Sequence, residues 1–134
     1  MGISVNITKA GVVPYMYEDG ILKMMFMLPS SPKRYGYQVA KGSIEKNERL
    51  AKAAMREATE ELGLREDNII TVNHPGIVYS NMIIFPVLVK DKNRFDSPTD
   101  KETKNVKWMT INEFHEIGHP GHLPIIYGIA YNSF

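Results

Sequence analysis

The sequence predicts an α/β fold in one domain that spans residues 1–134. Three observations lead to this prediction: several apolar runs have the length of strands, one segment has helical periodicity, and the length suits a single core. The chain has 134 residues, of which 43% are hydrophobic and 23% charged. These proportions are typical of a globular protein and argue against a disordered or fibrous chain.

The first elements predicted are two paired strands. Residues 10–17 and 21–28 are apolar runs, and the Glu-Asp-Gly sequence between them has the composition of a tight turn. Residues 29–34 combine prolines, serines and two cations, which indicates a loop. Residues 35–39 are a further short strand candidate.

The clearest predicted element is a helix that follows Asn47 and ends at Leu62. Its apolar face is formed by residues at helical spacing, namely Ala51, Ala54, Met55, Ala58 and Leu62. Asn47 is the predicted N-cap, with Glu48 in the first turn. Gly63 stands where a left-handed residue commonly ends a helix.

The second half is predicted to be mostly sheet. Strands are expected over residues 69–72, 76–79 and 82–89, followed by an exposed polar loop over residues 91–103 and a strand over residues 106–109.

The chain then continues with a short helix and a final apolar element. The short helix is expected to run through His115 with Thr110 or Asn112 as its cap. Residues 123–131 are expected to form a helix or a strand. Pro120 and Gly121 interrupt the spacing of His115, His119 and His122, so the sequence does not favour a zinc site there.

Charge and cysteine content exclude several classes of function. Sixteen basic and fifteen acidic residues leave a net charge of +1, which disfavours an RNA-binding module or a membrane-surface protein. The absence of cysteine removes thiolate metal sites and cysteine nucleophiles and fits a cytoplasmic protein. No signal peptide is apparent, and the longest apolar stretch is far below the roughly 20 residues that cross a bilayer.

Three carboxylates lie close together on the predicted helix. Glu57, Glu60 and Glu61 occupy an arc of about 100°, apart from the apolar stripe. Glu57 and Glu61 form a like-charge pair that costs an isolated helix roughly 0.2–0.5 kcal/mol, and a hard divalent cation would reverse that sign. The alternative is a solvated acidic face with an Arg56–Glu60 ion pair.

The residues before the helix complete a longer motif. Its fixed positions are Gly42, Glu48, Arg56, Glu57, Glu60, Glu61 and Gly63. The pattern Gly-x5-Glu-x7-Arg-Glu-Ala-x-Glu-Glu-x-Gly-Leu over residues 42–64 resembles the Nudix box. The chain is therefore similar to the Nudix (MutT-like) hydrolase superfamily. This resemblance implies an α/β/α sandwich with a central mixed β-sheet.

The resemblance also implies a reaction. The expected enzyme is a Mg²⁺- or Mn²⁺-dependent pyrophosphohydrolase that cleaves a nucleoside diphosphate linked to another moiety, with water attacking at phosphorus. By position, the implied metal ligands are Glu57, Glu60 and Glu61, with the backbone carbonyl of Lys41 or Gly42.

Further roles follow from the same resemblance. Arg56 would orient the box carboxylates, and Glu48 would either bind a further ion or hold the loop. Related enzymes take a general base from the box or from a downstream loop, where Glu102 is the first candidate and Asp100 the second. Glu102 is alternatively a solvated loop acid.

The substrate is predicted from residues outside the box. Tyr79 and the Tyr37-Gln-Val-Ala-Lys-Gly segment resemble features of dinucleoside polyphosphate hydrolases and RNA 5′-pyrophosphohydrolases, although Ala40 stands where that group has proline. Lys33, Arg34 and Lys41 are candidate phosphate contacts, or alternatively solvated loop cations. Aromatic residues, among them Tyr35, are candidates for stacking a base or for ordinary packing.

The implied partners are a small nucleotide-diphosphate substrate or an RNA 5′ end, and a homodimer is a common assembly in the superfamily. The competing hypothesis is a non-catalytic nucleotide-binding or sensing domain on the same fold.

Overall fold

The longest strand is also the centre of the sheet in the computed structural model, which describes residues 6–31 and 35–132. The strands in chain order are β1 (Lys9–Glu18), β2 (Ile21–Pro29), β3 (Ala40–Ser43), β4 (Ile69–Val72), β5 (Ile77–Tyr79), β6 (Met82–Val89) and β7 (Thr103–Met109). Within the described ranges the sheet order is β4-β6-β1-β2-β7, with β3 also pairing with β1 and β5 with β6. Only the β1–β6 pair of these described pairings is parallel, so the sheet is mixed.

Helices cover both faces of the sheet. They are α1 (Leu50–Leu62), α2 (Ile111–Ile117) and α3 (Leu123–Tyr131). Alternating side chains of β1 face opposite layers: Val12 packs with the alanines of α1, whereas Val13 packs with Phe114 of α2 and Ile126 of α3. The predicted α/β/α sandwich with a central mixed sheet is confirmed. Among the described residues, no helix has both the length and the apolar character that a bilayer crossing requires.

Most predicted elements are present, with shifts at their ends. The β1–β2 hairpin turns through residues 18–20, where Asp19 and Gly20 have positive φ. Thr110 caps α2 through a capping box with Glu113, and residues 123–131 form a helix. Residues 37 and 38 form only isolated bridges, so the predicted strand over residues 35–39 is wrong, and β3 begins at Ala40.

The predicted start of α1 is also wrong. The helix begins at Leu50 after Arg49, whose side chain makes no capping hydrogen bond, while Asn47 lies in a turn with φ 63°. The Glu48 carboxylate accepts a hydrogen bond from the Glu45 N–H at 2.9 Å and also contacts Arg56. Tertiary contacts of Glu48 therefore keep these residues out of the helix.

The C-terminal end of α1 matches the prediction. Gly63 has φ 74° and its N–H donates to Thr59 O, which is the αL capping motif, and the Leu64 N–H donates in addition to Ala58 O. A glycine is required here because a Cβ at residue 63 would lie 1.7 Å from the carbonyl oxygen of Asp96. The helix end thus sits directly against the loop of residues 96–102.

Candidate active site

A cavity of about 610 Å³ lies where α1, β3 and the loop of residues 96–102 meet. Its volume is in the range of small-molecule sites. It is lined by Lys9, Met27, Pro29, Gln38, Val39, Lys41, Gly42, Ser43, Glu57, Glu60, Glu61, Asp100 and Glu102. Five of these residues carry carboxylates and two carry ammonium groups, so the cavity suits a charged ligand.

The box carboxylates form one wall of this cavity. Glu57 and Glu61 are 8% and 7% exposed, which differs from the expectation that the acidic arc lies apart from the packed face. The reason is the close approach of β3 to the helix. A Cβ at Gly42 would lie 2.2 Å from Cδ of Glu57, so only glycine leaves room for that carboxylate.

Glu61 is held against the backbone of β3. The Lys41 N–H donates to its Oε1 at 3.1 Å. Burial raises the pKa of Glu61 to about 8, with the Lys41 hydrogen bond opposing and the charge of Glu57 adding to the shift. Burial also raises the pKa of Glu57, against the lowering effect of Arg56.

Arg56 joins the helix to the preceding loop. Its Nε and Nη2 donate to the two oxygens of Glu48 at 2.8 and 2.9 Å, and Nη1 donates to Oε1 of Glu57 at 2.9 Å. The Arg56 hydrogen bonds lower the pKa of Glu48 to about 2. Glu48 faces Arg56 and does not line the cavity, so its contacts tie the loop to α1, while its predicted role as a metal ligand stays a prediction.

Asp100 and Glu102 of the loop complete the acidic lining of the cavity, here called the acidic wall together with Glu57, Glu60 and Glu61. Backbone N–H groups of Thr99 and Asp100 both donate to the carbonyl oxygen of Glu60 at 3.0 Å. The hydroxyl of Thr103 donates to Glu61 O at 3.1 Å. These bonds satisfy carbonyls that the last turn of a helix leaves free, and they fix Asp100 and Glu102 over the cavity.

Asp100 is placed more centrally than the sequence suggested. Its negative charge adds to the raised pKa of both Glu57 and Glu61, and its Oδ1 accepts the Glu102 N–H at 2.8 Å. Glu102 is exposed at the rim. Both predicted loop acids therefore reach the cavity.

The lining residue Lys9 was missed by sequence reasoning, whereas Gln38, which also lines the cavity, belongs to the segment of residues 37–42 singled out for the substrate. Lys9 stands at the start of β1, opposite Ser43 of β3. A lysine before an apolar strand gives no local signal of function, and its position follows only from this long-range pairing. Lys41, a predicted phosphate contact, lines the same cavity, and burial lowers its pKa.

The predicted tyrosine contacts lie elsewhere. Tyr37 packs against the core, and its hydroxyl accepts a hydrogen bond from Asn105 Nδ2 at 2.7 Å. Tyr79, in β5, is 37% exposed beside Met82 and does not line the cavity. For Tyr37, packing within the fold is therefore the better-supported alternative, whereas a substrate contact by Tyr79 stays a prediction. Lys33 and Arg34 lie outside the described residues.

The histidines form a stack with Tyr35. The rings of Tyr35 and His119 are 4.3 Å apart, as are those of His119 and His122. His115 instead contacts the hydroxyl of Tyr127 at 2.6 Å. Among residues 6–31 and 35–132, no group of three or more His, Asp or Glu side chains is arranged as a ready metal site.

His122 gives a testable pH dependence of stability. Burial, with the charges of His119 and Lys41, lowers its pKa from 6.5 to about 3, and its Nδ1 accepts the Val39 N–H at 3.2 Å. Below pH 6.5 the His122 side chain binds a proton in the unfolded chain but not in the folded one. The free energy of unfolding therefore decreases as the pH is lowered from 6.5 to about 3.

We expect His122→Asn, which keeps an acceptor for Val39, to lose less stability between pH 6.5 and 4 than the wild type. The difference should grow by about 1 kcal/mol per pH unit, measured by urea unfolding at each pH. Parallel pH profiles for the two proteins would contradict this assignment.

Comparisons with known proteins agree with this fold. The model of the family described as the NUDIX domain matches residues 9–127. Among solved structures, the C. elegans Ap4A hydrolase in a binary complex aligns with TM-score 0.76 at 16% identity, covering 92% of this chain and 95% of that one.

Two further structures are similar. A Nudix hydrolase from M. smegmatis, RenU, aligns with TM-score 0.71 at 15% identity, covering 98% of this chain and 91% of that one. The NUDIX domain of Shewanella oneidensis NrtR, complexed with ADP ribose, aligns with TM-score 0.64 at 13% identity, covering 96% and 88%. At these identities the likeness is one of fold. A search of curated proteins finds no significant match.

Proposed function

Because the chain belongs to the NUDIX domain family, we propose that it is a divalent-metal-dependent pyrophosphohydrolase. It cleaves a nucleoside diphosphate linked to another moiety. The family match agrees with the enzyme class predicted from the sequence. The observation that carries the proposal is the cavity wall on which Glu57, Glu60 and Glu61 meet the loop acids Asp100 and Glu102.

The donor set fits a hard divalent cation. All five acids that line the cavity offer oxygen, and none of its described lining residues is a histidine or cysteine. A buried carboxylate such as Glu61, which is costly to ionise alone, is stabilised as an anion by a neighbouring cation. We propose that Glu57, Glu60 and Glu61 hold Mg²⁺ or Mn²⁺ with the backbone carbonyl of Lys41 or Gly42.

The residues of the chain supply the remaining chemistry. Arg56 fixes Glu57 through the 2.9 Å contact and so orients the wall. A loop acid, Glu102 or Asp100, takes the proton from the attacking water as a new oxygen–phosphorus bond forms. The bridging phosphorus–oxygen bond breaks, and its electrons leave with the departing phosphate. A divalent cation held by these carboxylates would supply charge neutralisation at the phosphate oxygens and a lower pKa for the attacking water.

Nucleotides are the proposed substrate class. The solved relatives include an Ap4A hydrolase and a NUDIX domain bound to ADP ribose, so dinucleoside polyphosphates and nucleoside diphosphate derivatives head the candidates. A triphosphate RNA end remains a further candidate. We also propose that the protein acts in the cytoplasm and that it forms a homodimer. Light scattering tests the homodimer.

The deciding experiment is product-resolved hydrolysis in ¹⁸O-labelled water. The panel contains Ap4A, ADP ribose, nucleoside triphosphates and 5′-triphosphate RNA, each with Mg²⁺ and with a chelator. We expect chelator-sensitive cleavage with ¹⁸O on a product phosphate. Nucleotide binding without cleavage of any substrate would overturn the proposal and favour the sensing domain.

A further inference from the structure

The end of β2 lies against the loop of residues 96–102. Pro29 pairs with Thr103, and a register shift between Leu28 and Pro29 leaves one extra residue in β7. Proline has no N–H, so Pro29 cannot donate a hydrogen bond to the neighbouring chain. Ser30 is therefore the first residue after the register shift whose backbone can donate to the segment that precedes β7.

Ser30 makes two hydrogen bonds with this loop. Its N–H donates to the carbonyl oxygen of Glu102 at 2.6 Å, and its hydroxyl donates to the carbonyl oxygen of Lys101 at 3.0 Å. The two acceptors belong to consecutive residues, so Ser30 fixes the backbone at the base of the Glu102 side chain. Because both acceptors are backbone atoms, this anchor depends on Ser30 and not on the side chains of the loop.

The two loop acids are anchored to different elements. The N–H groups of Thr99 and Asp100 donate to the carbonyl oxygen of Glu60 in α1. Glu102 is held instead from the end of β2, through Ser30. Loss of the Ser30 hydroxyl should therefore loosen Glu102 while Asp100 stays attached to α1.

The carboxylates of these two acids also differ in what they contact. Oδ1 of Asp100 accepts the Glu102 N–H at 2.8 Å, so one of its oxygens is already engaged within the loop. Across residues 6–31 and 35–132, the Glu102 carboxylate forms no ion pair and accepts no hydrogen bond. Since Glu102 also lines the cavity, its side chain is the more available of the two to a water molecule there.

We infer that Ser30 is a positioning residue, whose hydroxyl holds Glu102 over the cavity so that this carboxylate takes the proton released when water bonds to phosphorus. Ser30 does not line the cavity, so it acts only through the loop. This inference rests on the proposed function. It extends the catalytic arrangement to a residue at the end of β2, outside the box and outside the loop.

The first test separates turnover from substrate binding. For Ser30→Ala we expect kcat to fall about fivefold, the size of one lost neutral hydrogen bond, with KM within about twofold of the wild type. KM should hold because the box carboxylates and β3 keep their positions. Ser30→Thr keeps the hydroxyl and should restore kcat. Ser31→Ala is the matched control, because the exposed Ser31 makes no hydrogen bond to the described loop.

Double variants test whether Ser30 acts through Glu102. Glu102→Gln alone should lower kcat about a hundredfold, and adding Ser30→Ala to it should change kcat no further. In Asp100→Asn, which keeps the Oδ1 acceptor, Ser30→Ala should still cost about fivefold. Equal losses in the two backgrounds, or a Glu102→Gln kcat within about threefold of the wild type, would overturn the inference.

A second readout does not depend on turnover. In Ser30→Ala the amides of residues 30 and 102 should exchange hydrogen about fivefold faster, after correction for intrinsic rates, whereas those of Thr99 and Asp100 should be unchanged. Exchange that is equal in both proteins would overturn the anchoring role. Faster exchange at residues 30 and 102 in a protein that cleaves no substrate would overturn the proposed function and leave the Ser30 anchor standing.

Discussion

Replacing Glu61 with glutamine is expected to leave a folded protein whose turnover falls about a thousandfold. The amide keeps the shape and still accepts the Lys41 N–H, but it removes one anionic oxygen donor from the wall. Loss of a ligand to a cation that stabilises transition-state charge costs several kcal/mol, which corresponds to this factor. The measurement is kcat for the best substrate at saturating Mg²⁺.

Stability separates a functional loss from a structural one. Burial raises the pKa of Glu61 to about 8, so in a chelator the wild type loses stability as pH rises from about 4.5 towards 8. Glutamine does not titrate, and the melting temperature of the variant at pH 8 should equal or exceed that of the wild type. Glu116→Gln, exposed on α2 and outside the cavity lining, is the control. A turnover within about threefold of wild type would contradict a ligand role for Glu61.

The largest expected loss of stability is that of Gly63→Ala. A left-handed alanine costs about 1 kcal/mol, and its Cβ would overlap the Asp96 carbonyl oxygen at 1.7 Å, so the loop must move. Displacement breaks the 2.7 Å bond from the Asp96 N–H to Gly63 O and loosens the neighbouring contacts. We expect a total of about 3 kcal/mol by urea unfolding, together with reduced turnover because Asp100 and Glu102 shift.

Gly20→Ala is the matched control for that change. Gly20 has a similar φ of 79°, but no atom lies within 4 Å of the position of its Cβ. It should cost only the conformational part, about 1 kcal/mol, and leave turnover unchanged. If the two variants are destabilised equally, the packing of the loop on Gly63 contributes nothing.

Local patterns account for the parts of the fold that sequence predicted well. The β1–β2 turn, the Thr110 capping box and the left-handed Gly63 each depend on residues within a few positions. Asn47 fails as a cap because Glu48 is engaged by Arg56, eight residues later, and this contact outweighs local capping preference.

The parts of the site that sequence missed depend on distant pairings. The burial of Glu57 follows from the contact of Gly42 with α1, which helix periodicity alone does not contain. Lys9 reaches the cavity only through its register with Ser43. The spacing of the motif therefore predicts which carboxylates lie close together, whereas the strand pairing determines which other residues line the cavity with them.

The way the loop is anchored to α1 bears on how this protein could be diversified. The amides of Asp96, Thr99 and Asp100 make the contacts with Glu60 and Gly63, so the tether is largely independent of which side chains the loop carries. Exchange of Ser97 or Lys101, which do not line the cavity, should therefore be tolerated without moving the loop. An insertion or deletion between residues 96 and 100 would instead move every donor out of register, so new specificities should arise here by substitution and not by change of loop length.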